Sequence, residues 1–196
     1  MQHRTFTRRN LPHLYYDEGT YFITYRLRDS LPANIIKELR NELEHSKEPD
    51  SIKEKRIFKK YDQLLHNASF AGNKDLTQMH IAKINEDKLH EPDAKDYSLI
   101  CYCIMPNHIH LVFRLLEGNR GISKIMQTIK GVSSREINKL QNTAGSIWQD
   151  ESFDRLVRDD LELYNVINYV TNNPVEAKLV KDWKDWKYTY IHKLYA

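Results

Sequence analysis

The chain has 196 residues, enough to bury one sizeable hydrophobic core, and no Ser/Gly-rich or Pro-rich linker divides it. Lys and Arg number 30 against 27 Asp and Glu, and the resulting net charge of +3 permits a nucleic-acid partner without demanding one. No apolar run reaches the roughly 18 residues of a membrane span, and the amino end lacks the apolar core of a signal peptide. We therefore expect one domain over residues 1–196, located in the cytoplasm.

The first predicted strand is TYFITYRLRDSLP, residues 20–32, which is rich in β-branched and aromatic residues and ends at Ser and Pro. A largely polar stretch follows, in which apolar residues recur at helical spacing. Two helices are predicted from Ile35, Ile36, Leu39 and Leu43 and from Ile57, Phe58, Tyr61 and Leu65, with a further one in LTQMHIAKINEDKLH. We expect these helices to form an insertion over about residues 33–95, to which the sequence assigns no role.

Two strands, YSLICYCIM and HIHLVFRL, are predicted to form a hairpin that turns at Pro106 and Asn107. A helix, a strand and a last helix follow in GISKIMQTIKGVSSREINKL, GSIWQDESFDRLVR and DDLELYNVINYVTNN. This order predicts an α+β protein close to the ferredoxin-like plan, with an antiparallel sheet and helices packed on one face. The aromatic tail, KDWKDWKYTYIHKLYA, is expected to dock on that sheet.

Two histidines lie one residue apart in the second hairpin strand. Alternation places His108 and His110 on one face and the apolar trio Ile109, Leu111 and Phe113 on the other. Two adjacent imidazoles can bind one divalent ion, although alternation alone also produces such pairs on half-exposed sheets. A metal centre therefore needs further ligands and a reactive group.

The last predicted helix supplies candidates for both. Its apolar stripe leaves Tyr169 on a flank, and Asn173, four residues later, shares that side of the helix. A tyrosine can act as a covalent nucleophile and an asparagine can offer a carbonyl oxygen to a hard cation. A tyrosine flanking the core and an asparagine ending a helix before Pro174 would have the same spacing.

The segment CYCIMPNHIHLVF resembles the MPNHxH signature of REP-associated tyrosine transposases, a branch of the HUH single-tyrosine transposases. TYFITYRLRDSLP is similar to the family's first strand, GSIWQDESFDRLVR to its Trp-Gln strand, and INYVTNNPVEAKLV to its tyrosine helix. The resemblance implies that His108, His110 and Asn173 bind Mg²⁺ or Mn²⁺ and that Tyr169 is the nucleophile. It also implies a 5′-phosphotyrosine intermediate on single-stranded, hairpin-forming DNA, with no side chain evident as the general base.

Candidate DNA contacts are basic residues near the amino end, on the post-hairpin helix and beside the Trp-Gln strand. They are Arg4, Arg8, Arg9, Lys124, Lys130, Arg155 and Arg158. Each would also be an ordinary surface charge in a protein of any other function. Related transposases form dimers that exchange the tyrosine helix, so a homodimer is an expectation beside the monomer.

Two alternatives belong to other classes of protein. One is a DNA-hairpin-binding protein that keeps the site without catalysis. The other is a zinc protein using Cys101, Cys103, His108 and His110, which would show stoichiometric zinc and cysteine dependence. A disulfide is geometrically poor, because the two cysteines point the same way from one strand.

Overall fold

The computed structural model describes residues 4–8, 12–45, 50–68 and 75–196. The strands are β1 (Arg4–Arg8), β2 (Pro12–Tyr16), β3 (Thr20–Arg26), β4 (Tyr97–Ile104), β5 (His108–Leu115), β6 (Phe153–Val157) and β7 (Thr189–Ile191). The helices are α1 (Ala33–His45), α2 (Asp50–Asn67), α3 (Met79–His90), α4 (Ile122–Gln141) and α5 (Asp160–Glu176), followed by a short 3-10 helix (Trp183–Asp185). None of the described helices is long and apolar enough to cross a membrane.

The main sheet has five strands in the order β6-β3-β5-β4-β7, and every neighbouring pair is antiparallel. A βαββαβ unit is formed along the chain by β3, α3, β4, β5, α4 and β6. The order of these four strands in the sheet is that of the ferredoxin-like plan. The predicted α+β fold is therefore confirmed. The sequence pattern located these strands because most of their residues are apolar, aromatic or β-branched.

Helices cover both faces of the sheet, whereas the sequence predicted one. On the first face Ile109, Leu111 and Phe113 pack against α3 and α4, as the ferredoxin-like plan requires. On the second face Phe22 and Val112 join a separate apolar cluster with residues of α5 and α2. The two imidazoles of β5 are on this second face, so α5 and α2 bury them instead of leaving them at the surface.

Two short elements escaped the sequence pattern. The strands β1 and β2 pair as a separate antiparallel hairpin, and β7 pairs with β4 at the edge of the main sheet. The tail also docks through Trp186, whose indole Nε1 donates to the Ile104 carbonyl at 3.0 Å. Docking of the tail is therefore as predicted. Within the predicted insertion, α3 belongs to the ferredoxin-like core, so the true additions are α1 and α2.

Candidate active site

The β4–β5 hairpin sets the position of the two histidines. Pro106 and Asn107 form its turn, which is closed by the Met105 amide donating to the His108 carbonyl at 2.9 Å. His108 and His110 then project from the same face of β5 and are 1% and 0% exposed. Their Nε2 atoms are 3.1 Å apart, so both rings aim the same nitrogen at one point.

The tautomer of His108 is fixed by its neighbour in the turn. The Asn107 amide nitrogen donates to the Leu65 carbonyl at 2.9 Å, which leaves the Asn107 Oδ1 facing His108 Nδ1 at 2.6 Å. Because that oxygen can only accept, Nδ1 must carry the proton and Nε2 must present a lone pair. His108 therefore has the protonation pattern of a metal ligand.

His110 is held by a residue directly across the sheet. Thr24 of β3 pairs with His110 in the register, and its hydroxyl lies 2.8 Å from His110 Nδ1. A hydroxyl can donate or accept, so this contact orients the ring without fixing its tautomer. When Nδ1 donates to Thr24, Nε2 of His110 is also available as a ligand.

Helix α5 brings the predicted tyrosine and asparagine to the same point. It begins at the Asp159 cap, whose carboxylate accepts from the Glu162 amide at 2.7 Å. The Tyr169 ring lies edge-on to the His110 ring, with centroids 5.7 Å apart, and Asn173 is fully buried one turn later. The structure thus brings His108, His110, Tyr169 and Asn173 together, while their roles remain predictions.

A carboxylate that the sequence analysis missed lies at the centre of this group. Asp62, on α2, is 2% exposed, and its Oδ1 lies 3.2 Å from His110 Nε2 and 3.6 Å from His108 Nε2. Its Oδ2 accepts from the Tyr169 hydroxyl and from the Asn173 amide nitrogen, the latter at 3.0 Å. One carboxylate therefore contacts both the predicted metal ligands and the predicted nucleophile.

A second residue of α2 closes the network. His66, one turn after Asp62, has its Nε2 3.3 Å from Asp62 Oδ2 and 3.1 Å from Asn173 Oδ1. Both of these oxygens accept, so Nε2 of His66 carries the donated proton. The signal in the sequence was an acidic residue and a histidine, four apart, on the helix face that also presents Phe58 and Leu65.

Charge and burial act together on these groups. Burial alone would raise the pKa of the Asp62 carboxyl, but the imidazoles around it, His110 first, hold that pKa well below its usual value. Burial, and then the neighbouring His110, lowers the pKa of His108 well below its usual value, in agreement with a neutral ring. Burial and then the Asp62 charge raise the pKa of Tyr169 far above its usual value. The phenol is therefore protonated and donates to a carboxylate.

The residues present fit a divalent cation. Asp62 Oδ1 is buried and has no hydrogen-bond partner among the described residues, although a buried carboxylate oxygen ordinarily has one. One ligand atom each from Asp62, His108 and His110 lies within 4.8 Å of the others. Mixed imidazole and carboxylate ligands suit Mn²⁺ and Mg²⁺, and imidazoles also bind Zn²⁺.

The cysteines take no part in this group. Cys101 and Cys103 are buried and free, and among the described residues the group of candidate ligands includes neither. Burial raises the pKa of the Cys103 thiol to about 12, which disfavours the thiolate that zinc requires. The contacts therefore favour the histidine-carboxylate centre over the zinc alternative.

A cleft of about 740 Å³ opens beside Tyr169, between α2 and α5. Two of the predicted DNA contacts, Arg155 and Arg158, line it together with Lys55 and Lys59 of α2. Arg155 also lies 3.4 Å from the Glu162 carboxylate. The lining also includes carboxylates, those of Asp62, Asp159, Glu162 and Glu176. Lysine and arginine side chains beside a tyrosine suit the phosphates of a nucleic-acid strand.

The two predicted lysine contacts lie away from this cleft. Lys124 is exposed on α4, which packs on the opposite face of the sheet. Lys130 donates to the Gln149 and Asp150 carbonyls, and burial lowers its pKa to about 8. Of the three arginines near the amino end, Arg4 and Arg8 begin and end β1 and Arg9 lies outside the described residues. The structure therefore does not bring Lys124 or Lys130 to the site, and the three arginines stay a prediction.

The fold and the site define an antiparallel α+β protein with two histidines on a central strand and a tyrosine on the helix that covers them. The family model described as transposase, IS200 like, matches residues 73–173, just over half of the chain. The chain belongs to this family. The matched segment runs from just before α3 to Asn173, so it leaves α1 and α2 outside.

Named relatives agree with this family. A Haemophilus influenzae protein, provisionally named a REP-associated tyrosine transposase, is 29% identical over 106 residues, covering 50% of this chain and 60% of that protein. The REP-associated tyrosine transposase of Escherichia coli is 26% identical over 113 residues, covering 58% of this chain and 61% of that protein. The match thus spans about three fifths of each relative's length.

A solved structure supports the fold. It is that of a REP-associated tyrosine transposase bound to a REP hairpin, and it superposes with a TM-score of 0.52 at 19% identity. The superposition covers 93% of this chain and 80% of that one. At this identity the likeness concerns the fold, which it confirms.

Proposed function

We propose that this protein is a metal-dependent tyrosine transposase that cleaves and rejoins single-stranded, hairpin-forming DNA. The observation that carries the proposal is the meeting of Tyr169 with His108 and His110 in a chain of the IS200-like transposase family. The hairpin substrate is taken from the solved relative, which is bound to a REP hairpin. The strand would lie in the cleft beside Tyr169, with its phosphates against the lysine and arginine side chains there.

The residues have distinct parts in the proposed reaction. The Tyr169 oxygen attacks phosphorus and releases its phenolic proton, the bond from phosphorus to the 3′ oxygen breaks, and the leaving oxygen takes up one proton as a free 3′-hydroxyl. The product is a 5′-phosphotyrosine, which a second DNA end with a 3′-hydroxyl can attack to complete strand transfer. The hydrogen bond to Asp62 increases electron density on the tyrosine oxygen and fixes its orientation.

The cation would be held by His108 and His110, and Asn173 remains the residue predicted from the family as third ligand. When bound, Mg²⁺ or Mn²⁺ would polarise the phosphodiester and offset its negative charge. Thr24 and Asn107 orient the two imidazoles from behind, as residues that support metal ligands commonly do. The identity of the metal is part of the proposal.

A denaturing gel tests this function. Purified protein is incubated with end-labelled single-stranded DNA from the regions flanking its own gene, with Mg²⁺, with Mn²⁺ or with EDTA. We expect a slow covalent band that needs metal and disappears in Tyr169→Phe. Tyr164→Phe is the matched control, because Tyr164 lies on the same helix and is 64% exposed. Hairpin binding without any band would instead favour a non-catalytic binding protein.

A further inference from the structure

We propose that Asp62, on the added helix α2, is itself a ligand of the cation, so that the centre has two histidines and one carboxylate. This rests on the proposed function, because it concerns the same metal site. The match to the family model begins after α2, so Asp62 lies outside the matched residues. Helix α2, to which the sequence assigned no role, would then take part in the chemistry.

One oxygen of the Asp62 carboxylate is left available for a cation. Of the two carboxylate oxygens, Oδ2 accepts from Tyr169 and Asn173, whereas Oδ1 has no well-aligned hydrogen-bond donor among the described residues. That Oδ1 faces the Nε2 atoms of His110 and His108 at 3.2 and 3.6 Å. Leaving a buried acceptor without a partner costs about 1–3 kcal/mol or more when the group is charged, and a cation bound between the three atoms removes that cost.

The imidazole of His108 directs a nitrogen lone pair at the same point. His108 presents an unprotonated Nε2 because Asn107 accepts its Nδ1 proton, and Asn107 is itself oriented by the Leu65 carbonyl of α2. Helix α2 thus provides Asp62 and also fixes the tautomer of its neighbouring ligand. The His108 lone pair and the Asp62 oxygen thus face each other with no proton between them, and His110 adds a second lone pair when its Nδ1 donates to Thr24. This arrangement suits a cation.

Asn173 has both ends of its side-chain amide engaged by protein groups. Its Oδ1 lies 3.1 Å from His66 Nε2 and its amide nitrogen donates to Asp62. The oxygen that a cation would need is therefore engaged by His66, while the amide holds Asp62 in place. In this arrangement Asn173 is a positioning residue for Asp62, and the hard oxygen ligand comes from the carboxylate.

The consequence is a direct link between metal and nucleophile. One oxygen of Asp62 would bind the cation while the other accepts from Tyr169, so the carboxylate sets their separation. An anionic oxygen is also a stronger ligand for Mg²⁺ and Mn²⁺ than a neutral amide. Loading of the metal should therefore hold α2 against the sheet.

Calorimetric titration with Mn²⁺ alone tests the inference on the full chain. Removing a supporting residue typically weakens metal binding by about 10–100-fold, which is the loss we expect for Asn173→Ala. We expect Asp62→Asn, which removes a ligand, to weaken Mn²⁺ binding more than that. Asp87→Asn is the matched control, because Asp87 on α3 is exposed and pairs only with Lys83 among the described contacts. Circular dichroism in EDTA verifies that each variant is folded.

Wild-type affinity retained in a folded Asp62→Asn variant would overturn the inference. If the wild type forms the covalent DNA adduct at the same time, the proposed function stands and only the ligand assignment fails. A wild type that neither binds Mn²⁺ nor forms the adduct overturns both.

A second variant gives a gain of signal and does not depend on Asp62→Asn folding. In Asp62→Cys, a thiolate at position 62 would bind Co²⁺ and produce a sulfur-to-cobalt charge-transfer band in the near ultraviolet, which is absent from the wild type. That band in the folded variant supports the inference. Cobalt binding to the variant without the band would overturn it, because position 62 would then lie outside the metal's ligand shell.

Discussion

Phe58 is the apolar contact through which α2 holds Asp62 over the sheet. Its side chain is 7% exposed, and its ring meets Phe22 and Tyr169 edge-on at centroid distances of 5.0 and 5.5 Å. It also lies 4.8 Å from the Phe153 ring. Replacement by alanine would remove these ring contacts and leave a cavity between α2, α5 and the sheet.

The stability lost in Phe58→Ala can be worked out from the burial of the ring and from its ring pairs. Truncating a buried phenylalanine costs about 3–5 kcal/mol, and each edge-on pair contributes about 0.5–1.5 kcal/mol of this beyond its buried area. Because Phe58 lies at the margin of its cluster, we expect the lower end, about 3 kcal/mol. Opening of α2 would then become about a hundredfold more frequent, since about 1.4 kcal/mol corresponds to a factor of ten.

Hydrogen exchange of the α2 amides measures this directly. In Phe58→Ala, the exchange of amides in the middle of α2 should accelerate by about two orders of magnitude. Ile52→Ala is the control, because Ile52 lies on the same helix but is 54% exposed. An acceleration below about tenfold in Phe58→Ala, or an equal one in Ile52→Ala, would refute the view that this ring anchors α2.

Three further predictions concern other parts of the molecule. Asp96→Asn should lower the free energy of unfolding by about 1–2 kcal/mol at neutral pH, because the carboxylate binds the Arg120 guanidinium through both oxygens. Arg120 lowers the pKa of Asp96. In denaturation experiments the difference between variant and wild type should therefore vanish as the pH falls through that pKa. Ser133→Ala should cost about 1–3 kcal/mol in urea unfolding, because it leaves the buried Trp148 indole N–H, now 2.8 Å from the serine oxygen, without an acceptor. Lys59→Ala should weaken DNA binding and reduce its salt slope by about 0.7, the value for one phosphate contact on a single strand.

Each of these predictions has a contrary result, and the last two have a control variant. A difference between Asp96→Asn and wild type that persists at low pH would contradict the ion pair as its source. Ser123→Ala, exposed on the same helix as Ser133, should leave stability nearly unchanged, and an equal loss would contradict the buried hydrogen bond. Lys60→Ala is the control for Lys59→Ala, because Lys60 donates to Glu42 and does not line the cleft. Equal salt slopes of DNA binding in the two variants would argue against a strand in the cleft.

The sequence predicted those parts of the site that depend on local geometry. Alternation along β5 places His108 and His110 on one face, and helical spacing places Tyr169 and Asn173 on one side of α5. The short turn at Pro106 and Asn107 fixes the hairpin, so its strands were also predictable. Both patterns act over a few residues, and the structure preserves them.

Asp62 was not predictable in this way. Apart from the contact with His66, its contacts join residues 46 to 111 positions apart. The spacing within α2 indicates only that an acidic residue lies on a partly apolar face. Which face of the sheet α2 would cover depends on packing of Phe58 against Phe22 and Tyr169, which no local pattern contains. The short strand β7 escaped for a related reason, since its pairing with β4 depends on how the tail folds back.

The central claim is that Tyr169 becomes covalently attached to DNA. The most direct measurement is mass spectrometry of the proteolysed covalent complex, formed with Mn²⁺ on a labelled single strand, to locate the nucleotide. We predict a 5′-linked nucleotide on the peptide that contains Tyr169, and no such peptide in the presence of EDTA. A nucleotide on another tyrosine, or no modified peptide from a preparation that binds both Mn²⁺ and the hairpin, would contradict it.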